Sequence, residues 1–470
     1  MSDVSIALNR FGLGARPDEP PPGEPRAWLV AQLDRFESSP AALSGLPSSA
    51  DALRDLQAYR LARRDRRSGQ GNPAKADPSD GQPPKDMAAD DPLKQLRSEA
   101  RRRYRQMVDV RFASALTTPT PFAERLAHFW ANHFAISADK FTTVELGPTL
   151  EFEAIRPHLN GRFVDMLLAV ERHPAMLLYL DQAQSVGPDS PIGRRRAAVG
   201  GKRIGLNENL AREILELHTL GVRTGYGQGD VTEFARALTG WTVAGRGGGI
   251  GDTALFRPGL HQPGARTVLG RIYDQLNAAQ SEAIMRDLAA HPATARHVAT
   301  KLARHFAGDQ PPPAMVARLE QAFLRSDGDL PALHRAVVES PEAWAVGPVK
   351  YRTPWEWTVA SFRAVGARQP PPAGVAPLLD QLGQPVWRPG QPSGYDDVAA
   401  TWASADGLMR RVEAAERLAA RAGAGVDARA LAQRLYPGAV SAGTAQALAR
   451  AESLNQMLAL LLVAPEAMRR

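Results

Sequence analysis

The chain has 470 residues and a formal charge of +7, from 57 Lys and Arg against 50 Asp and Glu; single cores rarely grow past about 250–300 residues, so one large core or two ordinary ones can form. With no cysteine, structural disulfides, thiolate zinc sites, iron–sulfur clusters and a cysteine nucleophile are all excluded, and any metal would rest on His, Asp and Glu. The basic excess is thinly spread, whereas a nucleic-acid reader concentrates it on one element among aromatics, so nucleic acid is not an expected partner.

Met1 to Gly14 lacks a basic region followed by an apolar core and a small-residue cleavage site, which makes a cytoplasmic protein the expectation. No window reaches the roughly 18 apolar residues of a membrane span. Residues 1–64 read as an N-terminal helical region, and 65–92, rich in Pro, Gly, Asp, Ser and Lys, as a flexible insertion with too little apolar surface to offset its ordering entropy. The main helical body is expected over 93–366. Its first segment, Lys94 to Arg111, carries Arg97, Arg101, Arg102, Arg103 and Arg105; the helical pattern favours a solvated or interdomain face over an anionic-partner patch.

Further along the body, apolar residues recur at helical spacing in Leu126, Phe129 and Trp130, in Leu210, Ile214 and Leu217, and in Val298, Leu302 and Phe306. Asp230 and Glu233 have capping-box spacing before Phe234, Gly240 is placed to end that helix, and Pro292 fits a first helical turn. Within the loop 246–275, Gly247 to Gly251 breaks the rhythm, and the alternating stretch near 256–270 predicts one short β-hairpin or an ordered loop. Long loops follow over 367–405 and a C-terminal helical region over 406–470. The fold class is therefore mainly α, a multi-helix globular bundle.

Chemistry-bearing residues gather in three places. On a wheel begun at Leu210, Glu213 falls about 60° from the buried face, so Asn209, Glu213 and Glu216 follow one edge and can present an amide and two carboxylates to one cavity. Burial of Glu213 against Arg236 of the next helix is the structural alternative, because buried charges are paired. In the second place, His133 aligns with Leu126, Phe129 and Trp130, while Glu124, His128 and Asn132 form a separate row at i, i+4 and i+8. His261, on the glycine-rich loop, is the third; Trp241 closes the segment before that loop.

These segments together resemble the bacterial family catalogued as domain of unknown function 1800. The resemblance rests on Leu8-Asn9-Arg10 to Gly14, Phe129 to Phe134, 207 to 217, Ala235 to Trp241, His291 through Lys301-Leu302, Val349-Lys350 to Glu356, and Leu382-Gly383-Gln384. It implies a helical architecture over nearly the whole chain. Many relatives are exported and encoded beside a sulfatase-like family, domain of unknown function 1501, which implies a protein partner of that kind. Three positions depart from the family pattern: His261-Gln262 stands where a His-Asp pair is usual, Pro389 to Tyr395 replaces a Pro-Pro-x-x-Gly-Trp segment, and His218 replaces Phe.

The leading expectation is a polar pocket of Asn132, His133, Asn209, Glu213, Glu216, Arg236 and Trp241, closed by His261. His133 and His261 would be metal ligands for a divalent ion, Glu213 and Glu216 ligands or general bases, and Arg236 a charge stabiliser, in a metal-dependent hydrolase or oxidoreductase. The alternative is a non-catalytic binding or assembly protein whose buried polar residues fix helix registry.

Overall fold

Proline sets where many of the long helices begin. In a computed structural model describing residues 1–68, 91–198, 205–244, 253–347, 349–422 and 427–470, Pro occupies the first position of α1 (Pro25–Asp34), α3 (Pro92–Thr117), α4 (Pro121–His133), α8 (Pro292–Ala307), α9 (Pro313–Arg325) and α11 (Pro354–Ala364). Its fixed φ suits the first turn, where its missing N–H would have no intrahelical partner. The other helices of nine or more described residues are α2 (Ser49–Arg67), α5 (Phe163–Glu171), α6 (Gln228–Leu238), α7 (Ala278–Ala290), α10 (Leu330–Glu339), α12 (Ala405–Ala422) and α13 (Leu454–Leu462). The fold is mainly helical, as expected. Among the described residues no helix is long and apolar enough to cross a membrane.

Most of the insertion expected at 65–92, and the Gly247 to Gly251 break, lie outside the described residues. The basic run on α3 forms an interhelix face in part: Arg97 donates to Tyr59 Oη, and Arg103 pairs with Asp55 of α2 as well as with Glu99. Asp230 caps α6 from its third position, accepting from the Gly227 N–H at 2.8 Å, so that helix starts earlier than the spacing predicts. Gly240 follows α6 at φ +103°, where a Cβ would meet the Phe256 ring.

Among the described residues two antiparallel strand pairs interrupt the helices. The expected hairpin is β3 (Arg266–Val268) with β4 (Arg271–Tyr273), turned through Leu269 and Gly270, both at positive φ, as a two-residue primed turn requires. The pairing of β1 (Trp241–Val243) with β2 (Ala254–Phe256) was not anticipated from the sequence.

Among the described residues three turns are π-helical: Ala7–Phe11, Leu150–Ile155 and Ile214–His218. Each widens the helix by one residue and shifts the angular phase of the residues beyond it, so the α-periodic wheel begun at Leu210 does not carry past Ile214. His218 consequently lies in the core, its Nδ1 2.7 Å from Glu171 Oε1.

The largest apolar cluster joins Leu29 and Leu33 of α1 to Leu126 and Trp130 of α4 and Leu302 and Phe306 of α8. A second unites Trp357 of α11 with Ala415 of α12 and Leu458 and Leu461 of α13. A third, containing Leu13, Met107, Phe112, Trp355 and Trp387, lies against α3 and α11. The N-terminal segment ties these regions: Asn9 donates to the Leu435 carbonyl at 2.8 Å and accepts from Arg352 at 2.9 Å.

Candidate functional site

A cavity of about 250 Å³ is lined mainly by α4, α8, the start of α11 and the loop 384–398, with Leu13, Arg111 of α3, and Ala135 and Ile136 completing it. Its apolar walls include Phe129, Trp355, Trp387 and Tyr395. The indole rings are fixed by their N–H groups: Trp355 Nε1 donates to His128 Nδ1 at 3.2 Å, and Trp387 Nε1 to Glu151 Oε2 at 2.8 Å. Arg111, from α3, lies over Trp355 and Trp387 at 4.4 and 5.2 Å from their centroids and donates to Glu151 at 2.9 Å. Behind His128, Glu124 is clasped by Arg156 at 2.8 and 3.0 Å. Burial alone would raise the Glu124 carboxyl, but Arg156 and His128 hold it below the usual carboxylate range.

Two carboxylates of the wall, the buried Glu356 and the half-buried Asp397, already have basic partners. Glu356 pairs with Arg125 and, at 2.9 Å, with Arg470. Asp397 accepts from His305 Nδ1 at 2.8 Å and lies 3.1 Å from Lys350 Nζ. Against burial, which would raise both groups, Arg470 and Arg125 keep the Glu356 carboxyl depressed, and the His305 hydrogen bond together with Lys350 keeps that of Asp397 depressed. Asp396, exposed at the rim, accepts from Thr401 at 3.0 Å.

Two cations on α8 contrast with this. Lys301 and Arg304 line the cavity, and neither has a carboxylate within ion-pair distance among the described residues. Lys301 Nζ makes one hydrogen bond, 3.0 Å to His133 Nδ1. The Arg304 Nε is buried and has no hydrogen-bond partner among the described residues. Burial lowers the Lys301 ammonium, Asp397 pulls it partly back and Arg304 pushes it down again, to about 8. His133 Nε2 lies 3.1 Å from the His218 carbonyl and so carries the ring proton, which leaves Nδ1 to accept from Lys301.

Of the residues singled out from sequence, Asn132 lines the cavity and His133 stands directly behind Lys301. His128, from the same row as Asn132, also lines it, with Glu124 behind, whereas the other six residues of the expected pocket lie apart from the cavity lining. Asn209 is exposed; Glu216 is 3.4 Å from Arg212; Arg236 pairs with Glu233 of its own helix. Glu213 is half-buried, and burial raises its carboxyl, with His218 opposing. Trp241 donates to Ser281 at 3.1 Å, and His261 Nδ1 to the Thr239 carbonyl at 2.8 Å. Among the described residues no group of three or more His, Asp and Glu is arranged to hold a metal ion.

Sequence reasoning passed over Lys301, Arg304, His305, Trp355, Trp387 and Asp397. A signal was present: Lys301, Arg304 and His305 stand at i, i+3 and i+4 beside the apolar stripe of Leu302 and Phe306, a row of nitrogen bases edging a buried helix face.

The family model described as protein of unknown function (DUF1800) matches residues 6–469. The chain belongs to this family. Several segments carrying the family resemblance meet at the cavity, contributing Phe129, Asn132, Lys301, Trp355, Glu356 and Gln384 to the wall of this DUF1800 protein. No curated protein and no solved structure matches it.

Proposed function

We propose that this DUF1800 protein binds a small organic anion in the cavity, with Lys301 and Arg304 on the anionic group and Phe129, Trp355, Trp387 and Tyr395 against the apolar body. The observation that carries this reading is the pair of cations facing the cavity without a carboxylate partner among the described residues. A desolvated charge lacking a counter-ion is costly, and an anion would relieve both at once. Largely apolar walls with a few convergent polar groups are what a small-molecule site requires.

Calorimetric titration with phenyllactate, an aromatic carboxylate, tests the reading. One molecule should bind per chain. Lys301→Met or Arg304→Met should each weaken binding roughly tenfold or more, since a hydrogen bond to a charged group is worth about 1.5–3 kcal/mol. Unchanged affinity in the folded double variant would reject the site and favour a structural role for these buried polar groups.

The metal-dependent hydrolase or oxidoreductase reading requires His133 to have a free nitrogen, and both of its ring nitrogens are engaged by protein partners. Elemental analysis of untagged protein checks it: stoichiometric metal lost in a folded His133→Ala variant would restore it.

A further inference from the structure

The setting of Lys301 offers more than charge recognition. His133 Nδ1 has only a lone pair to give, because the ring proton is on Nε2 toward the His218 carbonyl. It takes one N–H of Lys301, and among the described residues the nitrogen's other valences have no protein partner, at a residue that lines the cavity. With the ammonium lowered to about 8 by burial and by Arg304, roughly a tenth of it is free amine at neutral pH. Arg304 lies three residues on along the same helix, so the two side chains are neighbours.

We propose that Lys301 forms a Schiff base with a 2-oxo acid whose carboxylate rests on Arg304 and whose side chain lies among Phe129, Trp355 and Trp387. This rests on the anion-binding reading and adds a reaction to it. The amine nitrogen attacks the ketone carbon, and the carbonyl C–O bond breaks as the C–N double bond forms. Counted from the ammonium, two of its three protons leave with the carbonyl oxygen as water; the third stays on the iminium nitrogen, hydrogen-bonded to His133 Nδ1. No oxidant or reductant is needed.

The test is reductive trapping of the whole protein with phenylpyruvate and cyanoborohydride, read by mass spectrometry and peptide mapping. One adduct per chain should form on Lys301, faster as pH rises toward about 8. Lys301→Arg, which keeps the positive charge, should still bind phenyllactate and give no such adduct. Arg304→Met keeps the amine and should slow trapping roughly tenfold through loss of the carboxylate anchor. If phenyllactate binds but labelling is absent, or is no faster at Lys301 than at the exposed Lys94 and Lys140, the amine chemistry is overturned and the anion site stands. If phenyllactate does not bind, the anion site fails and the Schiff-base proposal with it.

Discussion

Glu124 shows how a single side chain secures this site. It is fully buried, holds Arg156 with both oxygens, and lies 3.5 Å from His128 Nε2, while His128 Nδ1 receives the Trp355 indole proton. The orientation of one cavity wall thus passes through a buried ion pair. Glu124→Gln keeps the shape but leaves Arg156 without its counter-charge, and breaking such a pair costs about 3–5 kcal/mol. Urea unfolding should show that loss; a change within experimental error would mean the pair contributes little. The row Glu124, His128 and Asn132 was legible at i, i+4 and i+8. Arg156 and Trp355 were not, because a helical wheel reports which residues share a face and nothing about what a distant segment brings to it.

At the level of elements, the loop 384–398 is fastened to α4 by one amide. Asn132 donates to the Tyr395 carbonyl at 2.8 Å and accepts from the Tyr395 N–H at 2.8 Å, as a strand neighbour would. Gly394 makes room for this at φ +83°, where a Cβ would collide with the Asn132 carbonyl oxygen. Asn132→Ala should cost roughly 1–3 kcal/mol for the two hydrogen bonds, speed amide exchange at Tyr395 and weaken phenyllactate binding. Unaltered exchange at Tyr395 would show that other contacts hold the loop. Sequence periodicity located α4, α6 and α8 because their apolar stripes repeat. It could not locate the π turn at Ile214–His218, whose extra residue leaves no mark in composition, and the phase error falls on Glu216 and His218, the residues placed beyond Ile214.

Over the whole molecule, the burial of imidazoles sets the response to acid. Burial lowers His133, His297, His305 and His334, the last three to about 4, 4 and 3, while the unfolded rings titrate near 6.5. Below pH 6.5 the unfolded chain therefore binds protons that the folded chain refuses, and stability falls until the folded rings titrate near 4. The urea midpoint should drop steadily across that window, with a loss on the order of several kcal/mol; a flat midpoint would mean that these rings open to solvent at little cost. The mainly helical architecture was readable from stripes and proline-marked helix starts. The cavity was not, since its walls come from stretches between Leu13 and Val398 that only folding brings together.

That long span has a practical result. The hollow lies where side chains of the first and third apolar clusters meet, among them Phe129 and Trp387, so an occupant works as a removable staple between remote stretches of polypeptide. At a hundredfold excess over its dissociation constant, such a molecule adds about 2.7 kcal/mol to the native state by mass action alone. A ligand of the proposed anion class should then reveal itself as heat resistance in a blind screen of metabolite mixtures, before anyone knows what becomes of it.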